Sequence, residues 1–190
     1  YSGGDDMFVI GAWDDILGFA VDLYDTLSRY SQGMLTISAG IGIYPEKYPI
    51  AAMARQTGAL EDAAKARPGK NAITLFQEDN TYGWEEFINK VWFEKFELIR
   101  DFFQSMPDYG KSFLYRLLEL MRSREEKINL ARYAYLLARM QPSKEEPEER
   151  QTLYRDFSQK MYQWMQKEED CRQAITAIYI YVYTIRETTE

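Results

Sequence analysis

The chain contains no histidine. That excludes His-ligated metals, Ser-His-Asp and Cys-His catalysis, and any His-based nuclease centre within these 190 residues. A single cysteine, Cys171, excludes an internal disulfide and fits a reducing cytosol; it falls in an apolar helical pattern, where packing is the expected role. No uninterrupted apolar run approaches the roughly 18 residues of a membrane span, and no signal-peptide pattern is visible, so a cytoplasmic protein without membrane contact is expected. Cations are outnumbered, 23 Lys and Arg against 30 Asp and Glu. The net charge of −7 argues against a broad nucleic-acid-coating surface while permitting a local basic site.

What is present begins with Tyr1-Ser2-Gly3-Gly4-Asp5-Asp6, set directly against the apolar Met7-Phe8-Val9-Ile10. Glycines let the chain turn tightly and let phosphate approach the backbone. Paired carboxylates suit Mg²⁺ or Mn²⁺, hard ions held by one or two carboxylates together with substrate phosphates. In a two-metal site they flank the attacking and leaving oxygens of a phosphoryl displacement. Neighbouring strand side chains point to opposite faces, so one aspartate could bind and the other support it. Asp5, nearer the turn, is the surer expected ligand. As four common turn residues, Gly3 to Asp6 would also serve as a plain surface hairpin.

Met7 to Gly11 reads as a short buried strand, and Asp14 or Asp15 as the cap of a helix with the stripe Ile16, Leu17, Ala20, Leu23, Tyr24 and Leu27. Leu35 to Tyr44 reads as a strand whose Ser38, Gly40 and Gly42 leave one face open to close approach. A helix is expected from about Ile50 to Ala66, stopped by Pro68-Gly69, and then a strand over Ala72 to Phe76. Lys65 and Lys70 flank that last junction, where a lysine can neutralise developing phosphate charge or simply be a solvated surface cation.

The character changes at Glu78-Asp79-Asn80, giving expected domains over 1–80 and 84–190, with no further sheet in the second. Ile88, Trp92, Phe96, Ile99 and Phe103 mark one helix face, and Phe113, Leu114, Leu117, Leu118 and Met121 the next. Ile128 to Met140, with Leu130, Ala134 and Leu137 inward, and Leu153, Phe157, Met161 and Trp164 mark two more. Cys171 to Ile185 has strand propensity but keeps helical phase and reads as a fifth helix. Its tyrosines could give it two apolar faces, one for the bundle and one for a partner, or could all pack internally.

Taken together, the chain resembles the C-terminal part of the large subunit of type III CRISPR effector complexes, Csm type. The resemblance runs through Tyr1 to Asp6, Ile37 to Gly42 and Glu61 to Phe76 with Gly69-Lys70-Asn71, which look like a cyclase-like, GGDD-containing Palm. It continues through Ser112-Phe113-Leu114-Tyr115, Asn129-Leu130-Ala131-Arg132 and Ala177 to Tyr181 of the helical part. The resemblance implies an α+β chain: a partial ferredoxin-like Palm followed by an all-α bundle. It implies that ATP is joined into cyclic oligoadenylates when target RNA is bound. Asp5 and Asp6 would carry Mg²⁺ or Mn²⁺, and Ser2, Gly3, Gly4, Lys65 and Lys70 would meet the nucleotide. Partners would be the other subunits of the complex, above all the helical small subunit, with guide and target RNA reached through the complex. A Palm sheet normally needs a strand before the turn and an earlier carboxylate-bearing strand. The chain is therefore expected to be part of something longer and inactive alone. A diguanylate cyclase and a non-catalytic scaffold that keeps the Palm fold are the alternatives.

Overall fold

The structure is a computed structural model and describes residues 2–187, with the side chains of residues 4–185. Tyr1 of the opening motif lies outside the described residues. Two compact units divide at Ile88 and Asn89.

The first unit opens with β1, Ser2–Gly3, paired antiparallel to β2, Asp6–Met7, through Gly3↔Asp6. The two-residue loop is Gly4-Asp5, with Gly4 at φ 69. Positive φ at the first loop residue alone matches a type II′ turn, whose twist suits a hairpin and whose first position favours glycine. The expected buried strand Met7 to Gly11 is corrected: β2 ends at Met7, which is 51% exposed, with Val9 and Ile10 also exposed. A strand continues only while a neighbouring strand pairs with it, and the ladder with β1 ends at Ser2↔Met7.

Helix α1, Trp13–Ser31, starts after Ala12, so Asp14 and Asp15 lie in its first turn, favourable to the helix dipole, rather than capping it. It ends as Gln32 and Gly33 turn left-handed and donate to Arg29 O and Ser28 O. Of its expected apolar stripe only Leu17 is fully buried. Tyr24 stacks on Trp84 at 4.8 Å, and the Trp84 indole donates to Ile37 O at 2.9 Å.

A three-stranded sheet follows, order β3-β4-β5. Strand β3 is Ala39–Ile41, shorter than the expected Leu35 to Tyr44. It pairs parallel to β4, Ala72–Leu75, with α2, Ile50–Ala66, as the crossover. The space at Gly40 is filled by that helix: a Cβ there would lie 2.6 Å from Thr57 O, and at Gly42 it would meet the Tyr44 ring. Tyr44 and Thr57 share a hydroxyl hydrogen bond at 3.2 Å. Strand β5, Thr81–Gly83, was not expected; it pairs antiparallel to β4 and buries Tyr82. All four β4 residues are buried, the pattern of a central strand covered on both faces.

The chain then runs through α3, Trp84–Glu86, a π-helical stretch, Phe87–Phe96, and α4, Glu97–Ser105. The i→i+5 bonding of π-helix rotates successive residues differently from an α-helix. Phe87 and Val91 are accordingly buried where Ile88 and Trp92 were expected, while Phe96, Ile99 and Phe103 keep their inward places. The second unit adds α5, Lys111–Arg122, α6, Lys127–Arg139, α7, Glu148–Gln166, and α8, Glu168–Glu187. In α6 the buried face is Asn129, Tyr133 and Leu137; Ile128 is exposed. The expected helical reading of the last segment holds, and α8 is the middle of the bundle. Cys171, Ala174, Ala177, Ile178, Ile180, Tyr181 and Val182 are all buried, while Ile175, Tyr179 and Tyr183, at helical spacing, are half-buried. The core is aromatic: Phe102 stacks on Phe157 at 3.7 Å, and Phe103 on Tyr181 at 5.4 Å.

Candidate active site

The glycine hairpin sets Asp5 in the turn and Asp6 at the start of β2, both exposed. From α2, Lys65 reaches Asp6: its Nζ lies 3.4 Å from Asp6 Oδ1 and 2.7 Å from Glu61 Oε1. Glu61 and Lys65 are one helical turn apart, the spacing that puts opposite charges on one face. Glu61 chiefly, then Asp6, hold the Lys65 ammonium above its ordinary pKa, so it is cationic throughout the physiological range. The structure thus joins Asp6 to Lys65 across 59 residues of sequence and adds Glu61, which sequence reasoning had not named as a site residue. The i, i+4 spacing of Glu61 from Lys65 was the available signal.

Lys70 is placed differently. It is exposed, and among the described residues it forms no ion pair with Asp5 or Asp6. Gly69, Lys70 and Asn71 are successively left-handed, at φ 80, 53 and 50, a conformation that residues with a Cβ seldom adopt. Gly69 takes it without a steric penalty; Lys70 and Asn71 are held in it as the chain turns from α2 into β4. For Ser2 and Gly3 the backbone pairing is described and the side-chain surroundings are not.

Among the described residues no group of three or more acidic, His or Cys side chains is close enough to enclose a metal. Two oxygen-donor carboxylates do fit the partial set that Mg²⁺ or Mn²⁺ takes when substrate phosphates complete its shell. Lys65 meanwhile supplies positive charge at Asp6.

A small sheet with a glycine-aspartate hairpin, followed by a separate all-helical bundle, defines a palm-type unit joined to a helical one. Sequence comparison agrees. Residues 1–74 match the family described as Cas10/Cmr2, second palm domain, and residues 100–187 match the second helical domain of the Cmr2 subunit of the CRISPR RNA silencing complex. The chain belongs to the Cas10 family of type III CRISPR large subunits. It is 44% identical over 187 residues to a protein of Mycobacterium tuberculosis named CRISPR system single-strand-specific deoxyribonuclease Cas10/Csm1 (subtype III-A). Proteins of the same name from Enterococcus italicus and Streptococcus thermophilus are 44% and 42% identical. Each match covers 98% of this chain but only 23 to 25% of the relative, so the chain spans about a quarter of the length of those proteins. No helix among the described residues is long and apolar enough to cross a membrane.

Proposed function

We propose that this chain is the catalytic palm and adjoining helical part of a cytoplasmic subunit that converts ATP into cyclic oligoadenylate when target RNA is bound. The observation that carries the reading is Lys65 Nζ at 3.4 Å from Asp6 Oδ1, a cation brought to a glycine-bounded carboxylate pair. Asp5 and Asp6 hold Mg²⁺ or Mn²⁺, which when bound offsets the charge developing on the phosphates. Gly3 and Gly4, free of Cβ atoms, admit the triphosphate close to the backbone, with Ser2 beside the nucleotide. Lys65 faces the phosphates as a fixed charge, and Lys70, from its left-handed turn, serves as a second. A 3′-hydroxyl attacks an α-phosphate and pyrophosphate leaves.

The β3-α2-β4 crossover is read as part of a ferredoxin-like Palm sheet, completed by strands outside this chain. Exposed Met7, Val9 and Ile10 beside the hairpin support that reading. Guide and target RNA are met within the assembled complex. The helical unit docks a helical small subunit through the groove between α6 and α7, lined by Ala134, Ala138 and Tyr162. The relatives' named deoxyribonuclease activity cannot use a His-based centre in this chain, which has none.

The test replaces Asp5 and Asp6 by alanine in the longer subunit carrying this sequence, assembled with its complex and given ATP and target RNA. Oligoadenylate synthesis is expected to disappear. Synthesis at the parent's rate overturns the site assignment, and preference for GTP with a cyclic dinucleotide product favours the diguanylate cyclase reading.

A further inference from the structure

Away from the hairpin, the charge of the chain is distributed unevenly. From Lys111 to Arg139 there are seven Lys and Arg against three Glu, in a chain whose remainder holds sixteen against twenty-seven. Among the described residues, Arg116, Arg122, Lys127, Arg132 and Arg139 form no ion pair, whereas the cations of α4 and α7 are mostly paired. Unneutralised cations on two adjacent helices are the electrostatic footprint of a polyanion partner.

Where α5 turns into α6 these charges meet other chemistry. A concavity of about 400 Å³ is lined by Tyr115, Leu118, Glu119, Arg122 and Ser123. Tyr115 is 40% exposed there, although α5 buries Phe113, Leu114, Leu117 and Leu118 in the bundle. Buried Asn129 donates to Ser123 O at 2.9 Å and accepts from Arg132 Nη1 at 3.2 Å. The first turn of α6 is thereby tied to the rim, and Arg132 is held near it.

We propose that the α5–α6 turn is a docking site for single-stranded RNA, with Tyr115 stacking a base and Arg122, Lys127 and Arg132 meeting phosphates. An aromatic platform beside free cations is how single strands are gripped without sequence preference. Glu119 selects the sugar. A carboxylate among phosphate-binding cations weakens the grip on a polyanion, but its oxygens accept a hydrogen bond from a ribose 2′-hydroxyl, which DNA lacks. Ser123 lines the same concavity. The proposal does not depend on Asp5 or Asp6, so failure of the nucleotidyl-transfer reading leaves it standing.

The experiment measures fluorescence anisotropy of labelled single-stranded RNA and DNA of one sequence with the 190-residue chain over a salt series. RNA is expected to bind more tightly than DNA. Arg122→Glu with Lys127→Glu should weaken RNA binding at least tenfold and reduce the slope of log affinity against log salt by about 1.4, two phosphate contacts' worth. Tyr115→Ala should cost about 5- to 150-fold and Tyr115→Phe little. Glu119→Ala should narrow the RNA–DNA difference. Arg155→Glu, on an exposed part of α7, is the control, and circular dichroism checks each fold. RNA affinity unchanged in the folded charge-reversed and Tyr115→Ala variants overturns the proposal. So does equal or tighter binding of DNA, or an acidic helical peptide binding this turn while RNA does not.

Discussion

Lys95 Nζ lies 3.1 Å from Asp170 Oδ1, joining the π-helical stretch to the start of α8 across 75 residues. The lysine is 0% exposed, donates to Gln173 Oε1 at 2.9 Å and sits 5.1 Å from the centre of the Trp164 ring. A buried ammonium is tolerated only when its donors are satisfied. Asp170→Asn should therefore lower unfolding free energy by about 3 kcal/mol, the lower end for a broken buried pair. The lower end applies because Glu94 Oε1 remains at 3.5 Å. Lys95→Met, which removes the buried charge itself, should cost less. Urea denaturation of the two variants ranks them; the opposite order would show that the ion pair does not hold this junction.

Gly40 tests the contact between β3 and α2. Its missing Cβ is required by Thr57 O and the Glu61 backbone, atoms of a helix that cannot turn aside. Gly40→Ala should destabilise by about 1–3 kcal/mol through overpacking. At Gly42 the nearest atoms to an added Cβ belong to the Tyr44 side chain rather than to helix backbone, so Gly42→Ala should cost less. Thermal unfolding midpoints of the two variants decide it.

Alkaline pH should weaken the helical unit. Burial pushes the Cys171 thiol up to about 11 and Tyr109 up to about 12, and raises Tyr133 and Tyr154 as well. The folded state keeps protons that the unfolded chain releases from about pH 9 upward. Stability is full below that point and falls as pH rises towards 12. Denaturation midpoints should hold between pH 8 and 9 and fall steadily from pH 9 to 11. Phenolate absorbance from the buried tyrosines should appear with unfolding rather than before it, and Cys171 should resist alkylation until the chain unfolds.

Lys65 and Lys70 should differ in the longer subunit. Lys65→Ala removes the cation that reaches Asp6 and should lower oligoadenylate turnover about 10²-fold, the scale for one electrostatic group at a transition state. Lys70→Ala, at an exposed turn, should have a smaller effect. A turnover assay at saturating ATP compares them. The 190-residue chain alone should yield no oligoadenylate.

Several elements were legible from residue order because they depend on local spacing. The bounds of α2, the helical nature of Cys171 to Ile185 and the burial of Cys171 all follow from apolar periodicity. The misses share a different cause. The strands read over Met7 to Gly11 and Leu35 to Tyr44 shrank because ladder length depends on what lies alongside. Strand β5 escaped notice because three residues carry too little pattern. Phe87 and Val91 were misplaced because an α-helical period was applied across a π-helical turn. At the site, Asp5, Asp6 and the glycines were evident as a motif, whereas Glu61 became relevant only once α2 brought Lys65 to the hairpin.

By itself the sequence determined the Gly-Gly-Asp-Asp hairpin motif, the absence of imidazole and of an internal disulfide, and the run of amphipathic helices, because composition and near-neighbour spacing suffice for these. Only the tertiary structure decided that Lys65 rather than Lys70 meets Asp6, that one face of the last helix is buried while Ile175, Tyr179 and Tyr183 are half-covered, and that Lys95 is buried beside Asp170. Each is a matter of which distant surfaces pack together, and packing is settled by shape and burial summed over many residues.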